Sequence, residues 1–135
     1  MPFRTEIKVR GYHLDLYGHV NNARYLEFLE EARWAMMESH GDLEWFMQRQ
    51  YALVVSRIDI RYKRPATMGD LLVVETRSGP MGERHAIVEQ RIVRADNGKV
   101  VAEADVTIAV IHADVQGALP MEGDIADRFK QLAGE

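Results

Sequence analysis

The spacing of apolar residues changes twice along this chain. Between residues 6 and 10, apolar and charged side chains alternate, which is typical of a half-buried strand. A helix-like period follows over residues 23–39, where Tyr25, Leu29, Ala32 and Met36 fall on one stripe. We expect Asn21 or Asn22 to cap this helix and Gly41 to end it.

From Tyr51 onward the period becomes two. Ile58, Ile60 and Tyr62 alternate with charged residues, which predicts one apolar and one basic face. Further strands are predicted at residues 71–76, 83–94 and 100–112, with a turn at 79–82 and a hairpin at Asp96-Asn97-Gly98. A short amphipathic helix is indicated near the end by Ile125, Phe129 and Leu132. Strands joined by short turns favour an antiparallel sheet, so we expect a single α+β domain over residues 1–135.

Composition excludes several classes of protein. A formal net charge of -4 argues against nucleic-acid binding through a basic face. The chain contains no cysteine, which removes disulfides, thiolate catalysis and cysteine zinc sites and fits a reducing compartment. No apolar run approaches the roughly 20 residues that a membrane span requires, and the first residues do not resemble a signal sequence. We therefore expect a cytoplasmic protein with no membrane insertion.

The loop before the long helix carries the clearest candidate chemistry. Asp15 lies in a polar turn just ahead of the predicted helix start at Asn22. The first N–H groups of a helix have no intrahelical acceptor and lie at the positive end of its dipole, so they can stabilise an oxyanion. A carboxylate beside such a terminus suits acyl transfer. An Asp before a helix is also a common cap or turn former, so the residue by itself leaves both interpretations open.

The motif around Asp15 extends well beyond that residue. It reads Asp15-x-x-Gly18-His19-Val20-Asn21-Asn22-x-x-Tyr25 and continues into Leu26-Glu27-Phe28, with Tyr62-x-x-Pro65-x-x-x-Gly69-Asp70 further on. Over nearly the whole chain, this pattern resembles the hot-dog-fold acyl-CoA thioesterases of the 4-hydroxybenzoyl-CoA thioesterase type. The segments at residues 9–15 and 23–34 are most similar to the bacterial long-chain acyl-CoA thioesterase III group.

The resemblance implies a hot-dog fold, in which a curved antiparallel sheet wraps around a long central helix. It also implies a homo-oligomer, either a dimer with joined sheets or a dimer of dimers, with active sites at the protomer interface. Asp15 then occupies the catalytic carboxylate position, and the backbone N–H near Asn22 polarises the thioester carbonyl. The implied substrate is an acyl-CoA, more specifically a long-chain fatty acyl-CoA, and no cofactor or metal is implied.

Other residues near the loop have two interpretations each. His19 is placed with the catalytic group because it can bond substrate or water, although a histidine in such a loop often braces the backbone. Tyr25 either lines the substrate site or belongs to the core, and His13 is equally ambiguous. A metal site is not expected, because the chain lacks a compact pattern such as His-x-x-x-His. Glu31 is a second choice for the catalytic carboxylate, since some hot-dog thioesterases use one on the central helix.

Coenzyme A carries phosphates, so basic groups are expected at the mouth of the site. One candidate cluster surrounds the strand at residues 57–64 and includes Arg64. The other consists of Arg84 with His85, and we favour it because related thioesterases often place phosphate contacts there. Candidates for the acyl pocket are mostly Met and aromatic residues, which adapt to a flexible chain. They are Leu53, Val54, Val55, Met36, Met37, Trp45, Phe46 and Met47.

Several alternatives stay open at this point. Asp15 could attack the thioester directly or activate a water molecule. The chain could also be a hot-dog hydratase or dehydratase, but such enzymes typically pair Asp with a nearby His in a different local motif. A third possibility is a non-catalytic binder of acyl-CoA or acyl-carrier protein. The sequence does not separate fatty from aromatic acyl groups.

Overall fold

The computed structural model describes residues 1–132. They form five strands and three α-helices, with a single 3-10 turn at Gly11–His13 after the first strand. The elements are β1 (Phe3–Lys8), α1 (Asn22–Ser39), α2 (Asp42–Gln48), β2 (Tyr51–Tyr62), β3 (Leu71–Met81), β4 (Ala86–Arg94), β5 (Val100–His112) and α3 (Gly123–Gln131). No helix in this part of the chain is long and apolar enough to cross a membrane.

All five strands belong to one antiparallel sheet with the order β1-β3-β4-β5-β2. Burial alternates along β3, β4 and β5, so each strand has an apolar inner face that carries residues such as Leu72, Val88 and Val106. The outer face carries ion pairs, including one between Arg91 and Glu75 at 3.0 Å. The α+β class expected from the strand pattern is confirmed.

Helix α1 packs on the inner face, mainly against β1 and β3. Its predicted extent is confirmed to within one residue, and the predicted stripe is buried at Tyr25, Leu29, Ala32 and Met36. The Asn21 side chain caps the helix by accepting the N–H of Ala23 at 2.9 Å. Because α1 covers one half of the sheet, the inner face of β2 is left partly open at the edge.

One local prediction was wrong, and one short helix was not predicted. The predicted turn at residues 79–82 is in part the end of β3, because a bulge between Ser78 and Met81 carries the strand through Gly79 and Pro80. Proline and glycine are tolerated at such irregular positions. The chain also forms α2 directly after Gly41, whose φ of +72° ends the first helical segment. A helix of seven residues is too short to show a clear period, so the sequence did not reveal it.

The predicted tail helix is confirmed as α3. Its apolar side packs onto the rest of the domain through Ile125, Ala126 and Phe129, which are all buried. Phe129 lies 5.8 Å from Phe46 of α2, measured between ring centroids. Arg128 donates to the buried carboxylate of Asp42 at 3.1 Å. Helix α3 is therefore docked on α2.

Candidate active site

The loop that carries Asp15 is closed by backbone pairing at both sides. Leu14 and Val20 form an antiparallel bridge, and the Asp15 N–H donates to the His19 carbonyl at 2.8 Å. The turn between them is completed by the N–H of Gly18, which donates to the Asp15 carbonyl at 3.1 Å. Gly18 has a φ of +77°, a conformation that favours glycine. The loop thus presents Asp15 from a fixed backbone.

The two carboxylate oxygens of Asp15 have different surroundings. Oδ1 accepts the backbone N–H groups of Tyr17 at 2.8 Å and His19 at 3.3 Å. Oδ2 accepts no hydrogen bond from any residue in 1–132. Asp15 is therefore a turn former through one oxygen, while the other stays available to a ligand. The structural and the catalytic interpretations are compatible in the same side chain.

The start of α1 leaves one N–H group without an acceptor. The N–H of Ala23 donates to the Asn21 side chain, and that of Arg24 donates to the Asn21 carbonyl at 2.8 Å. The Asn22 N–H has no acceptor among the described residues. As the first residue of an 18-residue helix, it also lies at the positive end of the helix dipole. It is the donor best placed to stabilise a carbonyl oxygen.

Asp15 and Asn22 line one open cleft of about 480 Å³. The cleft brings together five of the seven site residues predicted from the sequence, and Glu31 is not among its lining residues. Its wall consists of Asp15, His19, Val20, Asn22, Tyr25, Tyr62, Lys63, Arg64 and Pro65.

Tyr25 lines the cleft and also belongs to the buried core. The side chain is buried, and its phenol oxygen accepts the N–H of Ala66 at 3.2 Å. Burial raises the pKa of Tyr25 above its usual value, with a smaller opposing effect from the Ala66 hydrogen bond. The hydroxyl consequently stays protonated and keeps its own proton for donation.

Tyr62 is a site residue that the sequence interpretation did not single out. Its hydroxyl donates to the carbonyl of Asn22 at 3.1 Å, and its ring centroid lies 5.7 Å from that of Tyr25. The contact ties the end of β2 to the first residue of α1. The signal was present in the Tyr62-x-x-Pro65 motif, but the alternation of β2 indicated only that the side chain belongs to the apolar face.

The two predicted basic clusters lie at different places. Arg64 and its neighbour Lys63 line the cleft, and the Arg64 guanidinium donates to the Val100 carbonyl at 2.8 Å. Arg84 and His85, the favoured pair, do not line the cleft within one chain. They occupy the β3–β4 turn at the opposite end of the sheet, where Arg84 donates to the Ala118 carbonyl at 2.8 Å. Within one chain, Arg64 lines the cleft and Arg84 does not, and the preference for Arg84 stays a prediction.

The two histidines of the loop have distinct roles. His19 is exposed, lines the cleft and forms a backbone bridge with Thr67. His13 is buried, and its Nδ1 accepts the N–H of Arg10 at 2.9 Å, which places the proton of the neutral ring on Nε2. Burial lowers the pKa of His13 below its ordinary value, and the nearby Arg24 lowers it further. His13 is thus a neutral structural residue.

A second, more apolar cavity of about 420 Å³ lies between α1, α2 and the start of β2. Of the eight residues suggested for an acyl pocket, five line it: Leu53, Val55, Met37, Phe46 and Met47. The other three lie elsewhere, since Met36 is in the core, Val54 is exposed, and Trp45 lies under the guanidinium groups of Arg49 and Arg128.

Several known proteins are similar to this chain. The Thioesterase-like superfamily matches residues 9–129 of the chain. The long-chain acyl-CoA thioesterase FadM of Escherichia coli (strain K12) is 44% identical over 129 residues, covering 96% of this chain and 98% of FadM. An Escherichia coli structure described as the probable thioesterase YbaW superposes with a TM-score of 0.92 at 43% identity, covering 98% of this chain and 99% of YbaW.

A further structural relative carries a bound ligand. A thioesterase from Thermus thermophilus, solved with coenzyme A and zinc, has a TM-score of 0.75 at 27% identity and covers 94% of this chain, with 91% of its own length matched. These relatives share the five-stranded sheet and its central helix, so the hot-dog architecture implied by the motif is confirmed. The chain belongs to the Thioesterase-like superfamily.

Proposed function

We propose that the protein is an acyl-CoA thioesterase that hydrolyses long-chain fatty acyl-CoA to the free acid and coenzyme A. The observation that carries this proposal is that Asp15 and Asn22 line the same cleft, and that neither the Asp15 Oδ2 nor the Asn22 N–H has a hydrogen-bond partner within residues 1–132. The similarity to FadM supports the long-chain substrate.

The proposed chemistry needs only these two groups. The Asn22 N–H donates to the thioester carbonyl oxygen and stabilises the negative charge that develops there. Asp15 then either removes a proton from water as the water attacks the carbonyl carbon, or attacks that carbon itself to give a mixed anhydride that water hydrolyses. The carbon–sulfur bond breaks in both routes, and the electron pair leaves on the thiolate of coenzyme A. A thiolate leaves readily, so no strong general acid is required.

Lys63 and Arg64 are the proposed contacts for the phosphates of coenzyme A. Both lie on the wall of the cleft next to Tyr62, and both side chains are exposed. Arg64 uses one N–H on the Val100 carbonyl and keeps further donors for a phosphate. Lys63 is only weakly engaged, with its ammonium 3.9 Å from Glu103.

A second copy of the chain completes the proposed site. Strand β2 is an edge of the sheet, 12 residues long, and its inner-face residues Val55 and Tyr62 are 41% and 47% exposed. An uncovered edge of this kind favours pairing with another strand. We therefore propose a dimer with antiparallel β2–β2 pairing about a two-fold axis. Assembly into a tetramer and a cytoplasmic location stay predictions from the sequence.

Antiparallel pairing also gives Arg84 and His85 a place in the site. The β3–β4 turn lies at the Tyr51 end of β2, because Ala86 pairs with Ile108 and Ile108 pairs with Val55. In the proposed dimer, the Tyr51 end of one β2 lies beside the Tyr62 end of the other. The partner's Arg84 would then approach the cleft from the far side and contribute to phosphate binding. Sedimentation equilibrium tests the dimer, and a monomer at micromolar concentration would contradict it.

The reaction is tested by thiol release from acyl-CoAs of graded chain length and from benzoyl-CoA. We expect turnover of long fatty acyl-CoAs by the parent protein and a loss of at least 100-fold in Asp15→Asn, with the fold retained by circular dichroism. Asp114→Asn is the matched control, because Asp114 is exposed and lies outside the cleft. Near-parental turnover in Asp15→Asn would refute the assignment. Ligand binding without thiol release by the parent would indicate an acyl-CoA binder, and hydration of an enoyl-CoA would indicate a hydratase.

A further inference from the structure

The second cavity lies on the same face of α1 as the catalytic cleft. Asn22 lines the cleft, whereas Glu30, Arg33 and Met37 line the cavity at helical spacing from it. With a rise of about 1.5 Å per residue, the cavity begins roughly 12 Å from Asn22 and ends about 22 Å from it. A ligand held at Asn22 can therefore reach the cavity only by extending along the helix.

These distances match a long acyl chain. Three bonds of an extended chain span roughly 3.5 Å, so an extended 16-carbon acyl chain is about 18 Å long. A chain of that length, with its thioester at Asn22, passes Glu30 and enters the cavity. A short acyl chain ends before the cavity begins. The walls suit the hydrocarbon, since Leu53, Val55 and Ile108 form the sheet side.

The far end of the cavity is closed by α2. Leu43, Phe46 and Met47 of this helix line the cavity together with Tyr51. Phe46 is almost fully buried, and its ring packs 6.4 Å from that of Tyr51. The depth of the cavity is therefore set by where α2 lies.

Helix α2 packs on α1 and β2, and side chains of α3 hold it as well. A seven-residue helix has little stability alone, so its place depends on tertiary contacts. The Asp42 carboxylate, 3% exposed, accepts from Arg128 at 3.1 Å, and the same guanidinium lies 4.7 Å from the Trp45 ring centroid. Phe129 packs on Phe46 at 5.8 Å. These three contacts clamp α2 against the tail of the chain.

We infer that this apolar cavity binds the distal part of the fatty acyl chain and that α2, clamped by α3, sets the longest chain the enzyme accepts. This inference rests on the proposed thioesterase function. It assigns to the tail helix a role in substrate specificity, exerted through the position of Phe46 and Met47.

Two substitutions in the end wall test the inference. Met47 is 65% exposed, so Met47→Trp fills the cavity end without disturbing the core. We expect it to lower kcat/KM for palmitoyl-CoA at least tenfold and to leave the value for octanoyl-CoA within twofold. Phe46→Leu enlarges the end of the cavity. It should raise the ratio of kcat/KM for stearoyl-CoA to kcat/KM for dodecanoyl-CoA about threefold or more. Val115→Trp, at an exposed position outside both cavities, is the control and should leave the profile unchanged.

A double variant tests the clamp. Asp42→Asn with Arg128→Gln removes both charges of the pair together and so avoids leaving one charge buried alone. We expect a broader chain-length profile, with stearoyl-CoA gaining relative to palmitoyl-CoA and octanoyl-CoA unaffected. An unchanged chain-length profile in a folded double variant would show that α3 does not influence which acyl chains the enzyme accepts.

The possible failures are distinguishable. If the parent hydrolyses acyl-CoAs but folded Met47→Trp keeps the parental chain-length profile, the acyl cavity is refuted and the thioesterase function stands. If the parent releases no thiol from any acyl-CoA, the proposed function itself fails. If circular dichroism shows that Phe46→Leu is unfolded, the chain-length profile of Met47→Trp tests the acyl cavity by itself.

Discussion

The phenol oxygen of Tyr25 accepts a hydrogen bond from the backbone N–H of Ala66 at 3.2 Å. This contact joins the first turn of α1 to the loop after β2. The Ala66 carbonyl in turn accepts the N–H of Val20 at 2.8 Å, at the end of the Asp15 loop. Three segments that are distant in sequence are thereby held together around the cleft.

Replacing Tyr25 with Phe should weaken both stability and turnover. The N–H of Ala66 is fully buried and would lose its acceptor, which costs about 1–3 kcal/mol of the free energy of unfolding. We expect kcat to fall because the loop that carries Asp15 loses part of its support. Urea denaturation and thiol release measure the two effects. Tyr12→Phe is the control, since Tyr12 is exposed and lines neither the cleft nor the second cavity, and it should leave kcat unchanged.

Gly18 and Gly98 form a matched pair for testing the loop. They have similar positive φ values of +77° and +71°, and a Cβ at either position would meet no atom within 4 Å. Alanine at each should therefore cost a similar amount, about 1–2 kcal/mol of stability, through backbone strain. Only Gly18→Ala should also reduce kcat, because Gly18 closes the turn that presents Asp15. An equal effect on kcat in both variants would show that turnover does not depend on the turn at Gly18.

The neutral state of His13 makes stability depend on pH. Its pKa is lower in the folded protein than the ordinary value of 6.5, so the unfolded chain binds more protons between the two values. The contribution of His13 is fully present above pH 6.5 and is lost as the pH falls toward the folded-state pKa. Denaturation midpoints measured between neutral pH and pH 5 should fall less in His13→Gln than in the parent. Equal slopes in the two proteins would contradict this prediction.

Gln90 is the centre of a buried polar network under α1. Its amide donates to the Leu29 carbonyl at 2.9 Å and to Thr76 at 3.0 Å, and its Oε1 accepts from Arg33 at 3.0 Å. Burial lowers the pKa of Arg33, with a smaller opposing effect from Glu30. Gln90→Leu removes a hydrogen-bond partner from each of these groups and should destabilise the fold by about 2–3 kcal/mol. Glu89→Gln, on the opposite face of β4, serves as the control in urea denaturation.

Local patterns were enough to predict most of the elements. The extents of α1 and β5 follow from apolar periods that run over more than ten residues and end at clear caps or turns. Helix α2 and the end of β3 were not predictable in this way. The first is too short to show a period, and the second depends on a bulge that is stabilised by pairing with β4.

The residues of the candidate site fall into the same two groups, those that local sequence predicts and those that only tertiary packing brings together. Asp15, His19 and Asn22 belong to one continuous motif, so the sequence by itself determined the family, the loop and the helix start that faces it. Tertiary structure alone decided that Tyr62 meets Asn22, that Arg64 rather than Arg84 shares the cleft within one chain, and that α3 holds α2 against the second cavity. The physical reason is the separation in sequence between the interacting residues. Caps and turns act between neighbouring residues, whereas the Tyr62–Asn22 and Arg128–Asp42 contacts join residues 40 and 86 positions apart, which only tertiary packing brings together.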